Sequence, residues 1–316
     1  MTAAVGDIAI HAQGLTKSFG AVRAVREIDF AVSRGEIFGL VGPDGAGKTT
    51  IMRMLAGVLR PDAGEVAVDG VDVIAEAELA KLRISYMPQR FGLYEDLTVA
   101  ENIFFYGELF SVSRGDRIAR SRELLEAAGL LPFQRRLAGQ LSGGMKQKLG
   151  LVCALIHTPR ILLLDEPTTG VDPVSRRDFW AILYNLREDG VTIFLSTAYM
   201  DEAERCSRLA LLHAGEIRYC DTPARLKQIM PGTLLAIASS DPRSLRDVIS
   251  DQPGVLGVLL MGDRVHVRVD DPAHRIPQLK IRLAEQNAGK VEIKPIEPGI
   301  EDVFVALLGE EKPHEP

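Results

Sequence analysis

Cysteine is scarce in this 316-residue chain: Cys153, Cys206 and Cys220 form an odd set without metal-ligand spacing. That excludes a disulfide-stapled scaffold and a cysteine zinc site, and it reads as reduced thiols serving as small core residues. Long apolar runs are missing too. No stretch reaches the roughly 18 consecutive apolar residues that a bilayer span needs, and the first residues, MTAAVGDIAIHA, lack the basic and then apolar segments of a secretory signal. Nor does charge of one sign dominate. The 37 basic and 43 acidic residues leave a net −6, so there is no electrostatic footprint for nucleic acid, and any membrane role must come through a partner. What is present, 46% hydrophobic and 25% charged residues, is the composition of a globular protein of about two domains.

Three short apolar runs without alternation predict strands covered on both faces of a parallel sheet: EIFGLVG (36–42), ILLLD (161–165) and VTIFLS (191–196). Helical patterns lie between them. The first run enters a glycine-rich turn followed by Met52, Leu55, Ala56 and Leu59 at helical spacing. From Leu93 to Leu131 the pattern is helical, with a capping box at Thr98 and Glu101 and a stop at Gly129, which predicts a helical subdomain over about 93–160. After Pro231 the texture shifts to TLLAIAS, a helix-like DPRSLRDVISDQ, a hairpin of VLGVLLMG and DRVHVRVD, another helix, VEIKPIEP and a final amphipathic helix. A boundary near residue 230 therefore separates 1–230 from 231–316, the latter a small α+β unit of ferredoxin-like order with a polar tail. In its last helix Ile300, Val303, Phe304, Leu307 and Leu308 share one face, as a docking stripe or a dimer contact.

The chemistry concentrates in three places. GPDGAGKT, running through Gly42, Pro43, Asp44, Gly45, Ala46, Gly47, Lys48 and Thr49 and followed by Thr50, matches G-x-x-x-x-G-K-[ST] between a strand and a helix. Its glycines let backbone N–H groups turn inward on phosphates, Lys48 adds a point charge, and Thr49 supplies a hydroxyl for Mg²⁺. Asp165, at a strand end, suits Mg²⁺ held through water, and Glu166 is placed to polarise an attacking water. Finally, LSGGMKQKL presents Ser142, Gly143 and Gly144 at the start of a helix whose Leu149, Val152, Cys153 and Ile156 fit one face, a second anion site.

A chain with two such phosphate sites resembles the ATP-binding subunit of ABC transporters, and the remaining motifs follow that family's order. Alone, Phe19 in KSFG reads as core and Gln89 in YMPQRFGLYEDLTV as a loop residue. The resemblance makes Phe19 the aromatic stacked on adenine, Gln89 the glutamine linking Mg²⁺ to the transmembrane partner, and Asp172 in GVDP the D-loop aspartate. It implies a P-loop NTPase (ABC ATPase) core of the α/β class, with a mixed sheet and a helical subdomain, plus a small C-terminal α+β domain. ATP and Mg²⁺ are the implied cofactors, and ATP hydrolysis the implied activity. The tail EPGIEDVFVALLG resembles the extension of ABC-2-type drug and antibiotic exporters, which implies an ABC-2-type permease partner and a place on the cytoplasmic face of the membrane. In this family two ATPase domains pack head to tail, so the partner is a second copy or a different ABC ATPase.

Three positions depart from the family pattern: Met145 stands for the usual glutamine, Asp44 for an asparagine, and Ala198 for the switch histidine that contacts the γ-phosphate. Only Ala198, in FLSTAYMDEAE, removes a chemical group. The resemblance therefore implies a site that binds ATP but turns it over slowly, while Ser142–Gly144 completes a competent site on a partner. VGPDGAGKTT, QRFGLYEDLTV and LSGGMKQKLGL resemble the first half of tandem bacterial exporter ATPases, and GEEKPHEP reads as a severed linker or as a frayed terminus. An engineered alanine, a regulatory and nearly non-hydrolytic ATP clamp, and a soluble ABC ATPase outside transport are the competing explanations.

Overall fold

The computed structural model describes residues 7–238, 241–285 and 292–309. Two compact units divide between Cys220 and Asp221.

In the first unit a six-stranded sheet runs in the order Glu216–Asp221, Arg208–His213, Ile37–Val41, Thr192–Thr197, Ile161–Asp165, Ile84–Met87. The last five pair in parallel. Every residue of Ile37–Val41, Ile161–Asp165 and Thr192–Thr197 is buried, which is why these runs are apolar without alternation. A second, antiparallel sheet runs in the order Val22–Ser33, Ile8–Phe19, Ala63–Val68, Val71–Asp72. Phe30 of that sheet stacks on Phe38 of the first, ring centroids 6.0 Å apart, and Phe38 on Phe194 at 5.4 Å, so the two sheets share one core. The phosphate-loop helix, Lys48–Leu55, is shorter than its apolar spacing suggested. Gly57 (φ +64°) turns the chain, and Leu59 packs on the core from beyond that turn.

Helices Val99–Leu109, Arg114–Ala127 and Gly143–Leu155 build a separate core from Val99, Ile103, Leu125, Leu149, Val152, Cys153 and Ile156. The reciprocal box at Thr98 and Glu101 caps the first of them: Glu101 N–H donates to Thr98 Oγ1 (3.2 Å) and Thr98 N–H to Glu101 Oε2 (2.8 Å). The cysteines divide. Cys153 and Cys206 are buried, with burial raising both thiols, whereas Cys220 is exposed rather than a core residue, its sulfur 3.7 Å from Arg208 Nη2.

At the opposite ends of the parallel strands from the phosphate loop, the side chain of Asp69 is only 2% exposed and meets Arg34 (2.6 Å), Arg160 (3.1 Å) and Arg83 (3.4 Å). Burial pushes its carboxyl up, but the hydrogen bond and charge of Arg34, joined by Arg160, outweigh that and hold it below the usual carboxylate range. The folded-state value thus lies below the unfolded one. Its stabilisation is complete above the unfolded pKa of about 3.9 and is lost as pH falls through the folded value. Asp69→Asn is expected to cost about 1–3 kcal/mol in urea unfolding at neutral pH, with the gap to the parent closing below about pH 4.

The second unit has an antiparallel sheet in the order Val255–Met261, Arg264–Val269, Thr233–Ala238, Ile293–Pro295. Helices Pro242–Ile249 and Pro272–Glu285 connect strands within it. Sequence texture put the boundary near 230. The helix Pro223–Gln228 belongs instead to the second unit, because it packs on the last helix, Ile300–Leu308. In that last helix Ile300, Val303 and Leu308 are buried as expected. Asp302 and Ala306 join them, and Phe304 and Leu307 are only half-buried. The polar tail, 310–316, lies outside the described residues.

Candidate nucleotide site

Strand order alone brings the candidate residues together. Ile37–Val41 leads into the phosphate loop, Ile161–Asp165 ends at the acids, and Thr192–Thr197 lies between them, Val41 opposite Thr197 and Asp165 opposite Ser196. Gly42 N–H donates to the Thr197 carbonyl (3.3 Å), so the turn carrying Ala198 starts beside the phosphate loop. Ala198 is exposed and contributes only a methyl group.

Lys48, first residue of its helix and 4% exposed, donates through Nζ to the carbonyls of Gly42 (2.8 Å) and Pro43 (3.0 Å) and pairs with Glu166 Oε1 (3.0 Å). Asp44 is almost fully exposed, 3.9 Å from the same ammonium. Gly47 (φ +109°) caps this helix, and a Cβ there would lie 2.4 Å from the Ala24 carbonyl oxygen. Gly47→Ala combines backbone strain with a clash against main chain. It is expected to lower unfolding free energy by at least about 2 kcal/mol in a denaturant titration.

Thr49 Oγ1 lies 3.2 Å from Asp165 Oδ1, and Thr50 is half-buried in the following turn. Asp165 also accepts from Ser196 Oγ (2.6 Å) and from the Tyr86 hydroxyl (3.3 Å). Burial, with the Asp165 charge second, pushes the Tyr86 phenol up to about 12, so Tyr86 stays a donor. Glu166 occupies the left-handed region (φ +48°), its N–H shared between Ser196 O (3.1 Å) and Ser196 Oγ (3.0 Å). Such a backbone costs on the order of 1 kcal/mol and persists where neighbours hold it. Gln89 Nε2 donates to Glu166 Oε2 (3.1 Å).

Lys48, Thr49, Gln89, Asp165 and Glu166 therefore form one connected group. Ser196 and Tyr86 belong to it as well, and the sequence motifs did not single them out. The signal for Ser196 is a hydroxyl that ends an apolar strand opposite Asp165. Among the described residues no cluster of three His, Cys, Asp or Glu side chains could hold a metal alone. The Thr49 hydroxyl and the Asp165 carboxylate, 3.2 Å apart, are hard oxygen donors of the kind Mg²⁺ takes.

Phe19 is 51% exposed at the end of its strand, with Lys17 Nζ 5.9 Å from the ring centre. The second group is assembled separately. Ser142 caps the helix Gly143–Leu155, accepting from Met145 N–H (3.3 Å), and Gly143 has open space where a Cβ would be. Gly144 packs so closely on Ser175 that a Cβ would sit 2.4 Å from its side chain, joining this helix to Pro173–Glu188. Asp172 caps that second helix, accepting from Ser175 (2.9 Å) and Val174 (3.1 Å) N–H, and its hydrogen bonds with Ser175 lower its pKa. Among the described residues the side chains of Ser142 and Asp172 make local capping bonds and do not reach the phosphate loop; Ser142, Gly143 and Asp172 are exposed.

A family model described as ABC transporter matches residues 25–169. The chain is 43% identical over 309 residues to the probable multidrug ABC transporter ATP-binding protein YbhF of Escherichia coli K12, covering 96% of this chain and 53% of that protein. It thus spans about half the length of that relative. It is 38% identical over 305 residues to the Nod factor export ATP-binding protein I of Rhizobium etli, covering 96% and 94% of the two chains. With the daunorubicin/doxorubicin resistance ATP-binding protein DrrA of Streptomyces peucetius it shares 35% over 309 residues, covering 95% and 92%. Among solved structures, a dimeric structure of MJ0796, a bacterial ABC transporter cassette, superposes with a TM-score of 0.62 at 27% identity, over 67% of this chain and 98% of that one. The chain belongs to the ATP-binding proteins of ABC transporters, and its fold is that of the ABC ATPase cassette.

Proposed function

We propose that the chain drives an ABC-2-type exporter by binding ATP, and that its own site hydrolyses ATP slowly because Ala198 stands at the switch position. The observation that carries this reading is the turn at 198, which begins between the phosphate loop and the acids and has only a methyl group at position 198 itself. Lys48 and the loop amides would hold the phosphates, Thr49, Asp165 and Gln89 would hold Mg²⁺, which supplies charge neutralisation at the phosphates, and Phe19 would stack on adenine. Glu166 would orient the attacking water, its carboxylate held between Gln89 and Lys48. Ser142–Gly144 and Asp172 would face the nucleotide of a head-to-tail partner. That partner is a second copy or, given the asymmetry at position 198, a different ATPase that keeps a histidine at the switch position of its own site.

Export fits the relatives, whose names refer to multidrug transport, Nod factor export and daunorubicin/doxorubicin resistance. Among the described residues no helix is long and apolar enough to cross a membrane, so a permease would supply the pathway and hold the chain at the cytoplasmic face. A cleft of about 230 Å³ lined by Val58, Tyr86, Phe91, Tyr106, Leu109 and Phe110 offers an apolar seat for it, next to the Gln89 segment. The C-terminal unit, with strands and helices in βαββαβ order, fits a ferredoxin-like extension.

Leu109, 64% exposed at that cleft, supplies the test. Leu109→Asp should move the chain from the membrane fraction to the supernatant of cells expressing its permease, with ATP affinity unchanged within about twofold. Full retention on the membrane would contradict this docking.

A further inference from the structure

Glu202 lies in FLSTAYMDEAE just beyond the turn that carries Ala198, and nucleotide binding assigns it no role. Its side chain is 1% exposed. A carboxylate removed from water survives only where donors replace the lost hydration, and three converge here. Oε1 accepts from Thr168 Oγ1 and from Trp180 Nε1 (3.1 Å), and Oε2 accepts from Thr197 Oγ1 (2.7 Å). Each donor comes from a different part of the site. Thr168 is two residues past Glu166, Thr197 immediately precedes Ala198, and Trp180 sits on the helix capped by Asp172. Thr197 Oγ1 in turn accepts from Tyr199 N–H (2.9 Å), so the backbone on both sides of position 198 is tied to one carboxylate.

Arg176, on the same helix as Trp180, grips the turn from outside. Its guanidinium lies 4.2 Å from the centre of the Tyr199 ring, and Nη1 reaches Asp201 (3.4 Å). Arg176 Nε is buried, without a hydrogen-bond partner, 4.0 Å from Glu202 Oε1. A shift of about 1 Å in that helix would turn this approach into a hydrogen bond.

We propose that Glu202 is a positioning residue for ATP hydrolysis, fixing the 197–199 turn and the segment after Glu166 to the helix that begins at Asp172. Through Arg176 Nε the same carboxylate registers movement of that helix. The inference deepens the reading of position 198 as the switch position and rests on it.

The test compares full-length parent and variants in single-turnover ATP hydrolysis and in ATP affinity by calorimetry, at a temperature where circular dichroism shows each fully folded. Thr197→Val keeps the shape of the buried residue and deletes the hydroxyl shared by Glu202 and Tyr199. It should lower the single-turnover rate at least about tenfold with ATP affinity within about threefold. Glu202→Ala should do the same. Glu202→Gln, whose carboxamide oxygen still accepts from Thr168 and Trp180 while its amide donates to Thr197, should restore the rate to within about threefold of the parent. Rates within twofold of the parent in Thr197→Val, or affinity falling in step with rate, would overturn the proposal. Ala198→His in the parent reports on the underlying reading: no gain in rate sinks that reading alone, while the split between rate and affinity at Thr197 and Glu202 still decides the positioning role.

Discussion

Lys48→Ala is expected to weaken ATP binding at least about thirtyfold, measured by calorimetry with Mg²⁺ present. The ammonium is held by two loop carbonyls and by Glu166 at 3.0 Å, so it does two things at once. It ties the ends of the phosphate loop together, and it supplies the positive charge nearest the place where terminal phosphates would lie. Hydrogen bonds to charged groups contribute about 1.5–3 kcal/mol each, and 2 kcal/mol corresponds to about thirtyfold in affinity. Alanine also leaves Glu166 without its counter-charge in a largely buried setting, which costs stability before any nucleotide arrives. Lys48→Arg does not rescue, because the planar guanidinium cannot fill a seat shaped by the Gly42 and Pro43 carbonyls around a compact ammonium. An affinity within threefold of the parent in Lys48→Ala would contradict the assignment of this loop as the phosphate site.

Much of this site was legible in the sequence because its parts are local. A buried strand, a glycine run and a helix start fall within 36–49, and the backbone geometry they impose depends on neighbours in the chain. The same holds for Ser142 and Asp172, whose capping bonds reach only three residues ahead. Contacts between distant segments were not legible. Ser196 bridges Asp165 and Glu166 across about thirty residues of sequence, Tyr86 reaches Asp165 from a neighbouring strand, and Glu202 collects Thr168 and Trp180. Nothing in the composition of FLSTAYMDEAE says which of its acids is buried. The end of the phosphate-loop helix and the division at 220 were misplaced for related reasons. Apolar spacing continues past Gly57 although the helix does not, and the helix Pro223–Gln228 is claimed by a contact with residues more than seventy positions away.

The alanine at 198 carries the largest mechanistic consequence. Strand pairing sets its turn between Gly42 and the Asp165–Glu166 pair, and Thr197 and Tyr199 hold it there. One positioned polar group that contacts the transferring phosphoryl and steadies the attacking water contributes about 10²–10⁴ in rate, far more than it contributes to binding, which Lys48, the loop amides and Mg²⁺ would sustain. On the proposed function such a site would bind ATP well and turn it over slowly. In a head-to-tail complex Ser142–Gly144 would act on a partner's nucleotide, so loss of the signature motif is expected to reduce the partner's turnover more than its own.

Restoring the missing group is the most direct measurement. Steady-state ATPase and ATP affinity are compared for the purified chain and its Ala198→His variant, without a partner ATPase. Slow turnover is expected in the parent, with a gain of at least about tenfold in kcat for Ala198→His and ATP affinity within about threefold between the two. Ordinary transporter-level turnover in the parent, with no gain from histidine, would contradict the reading of position 198.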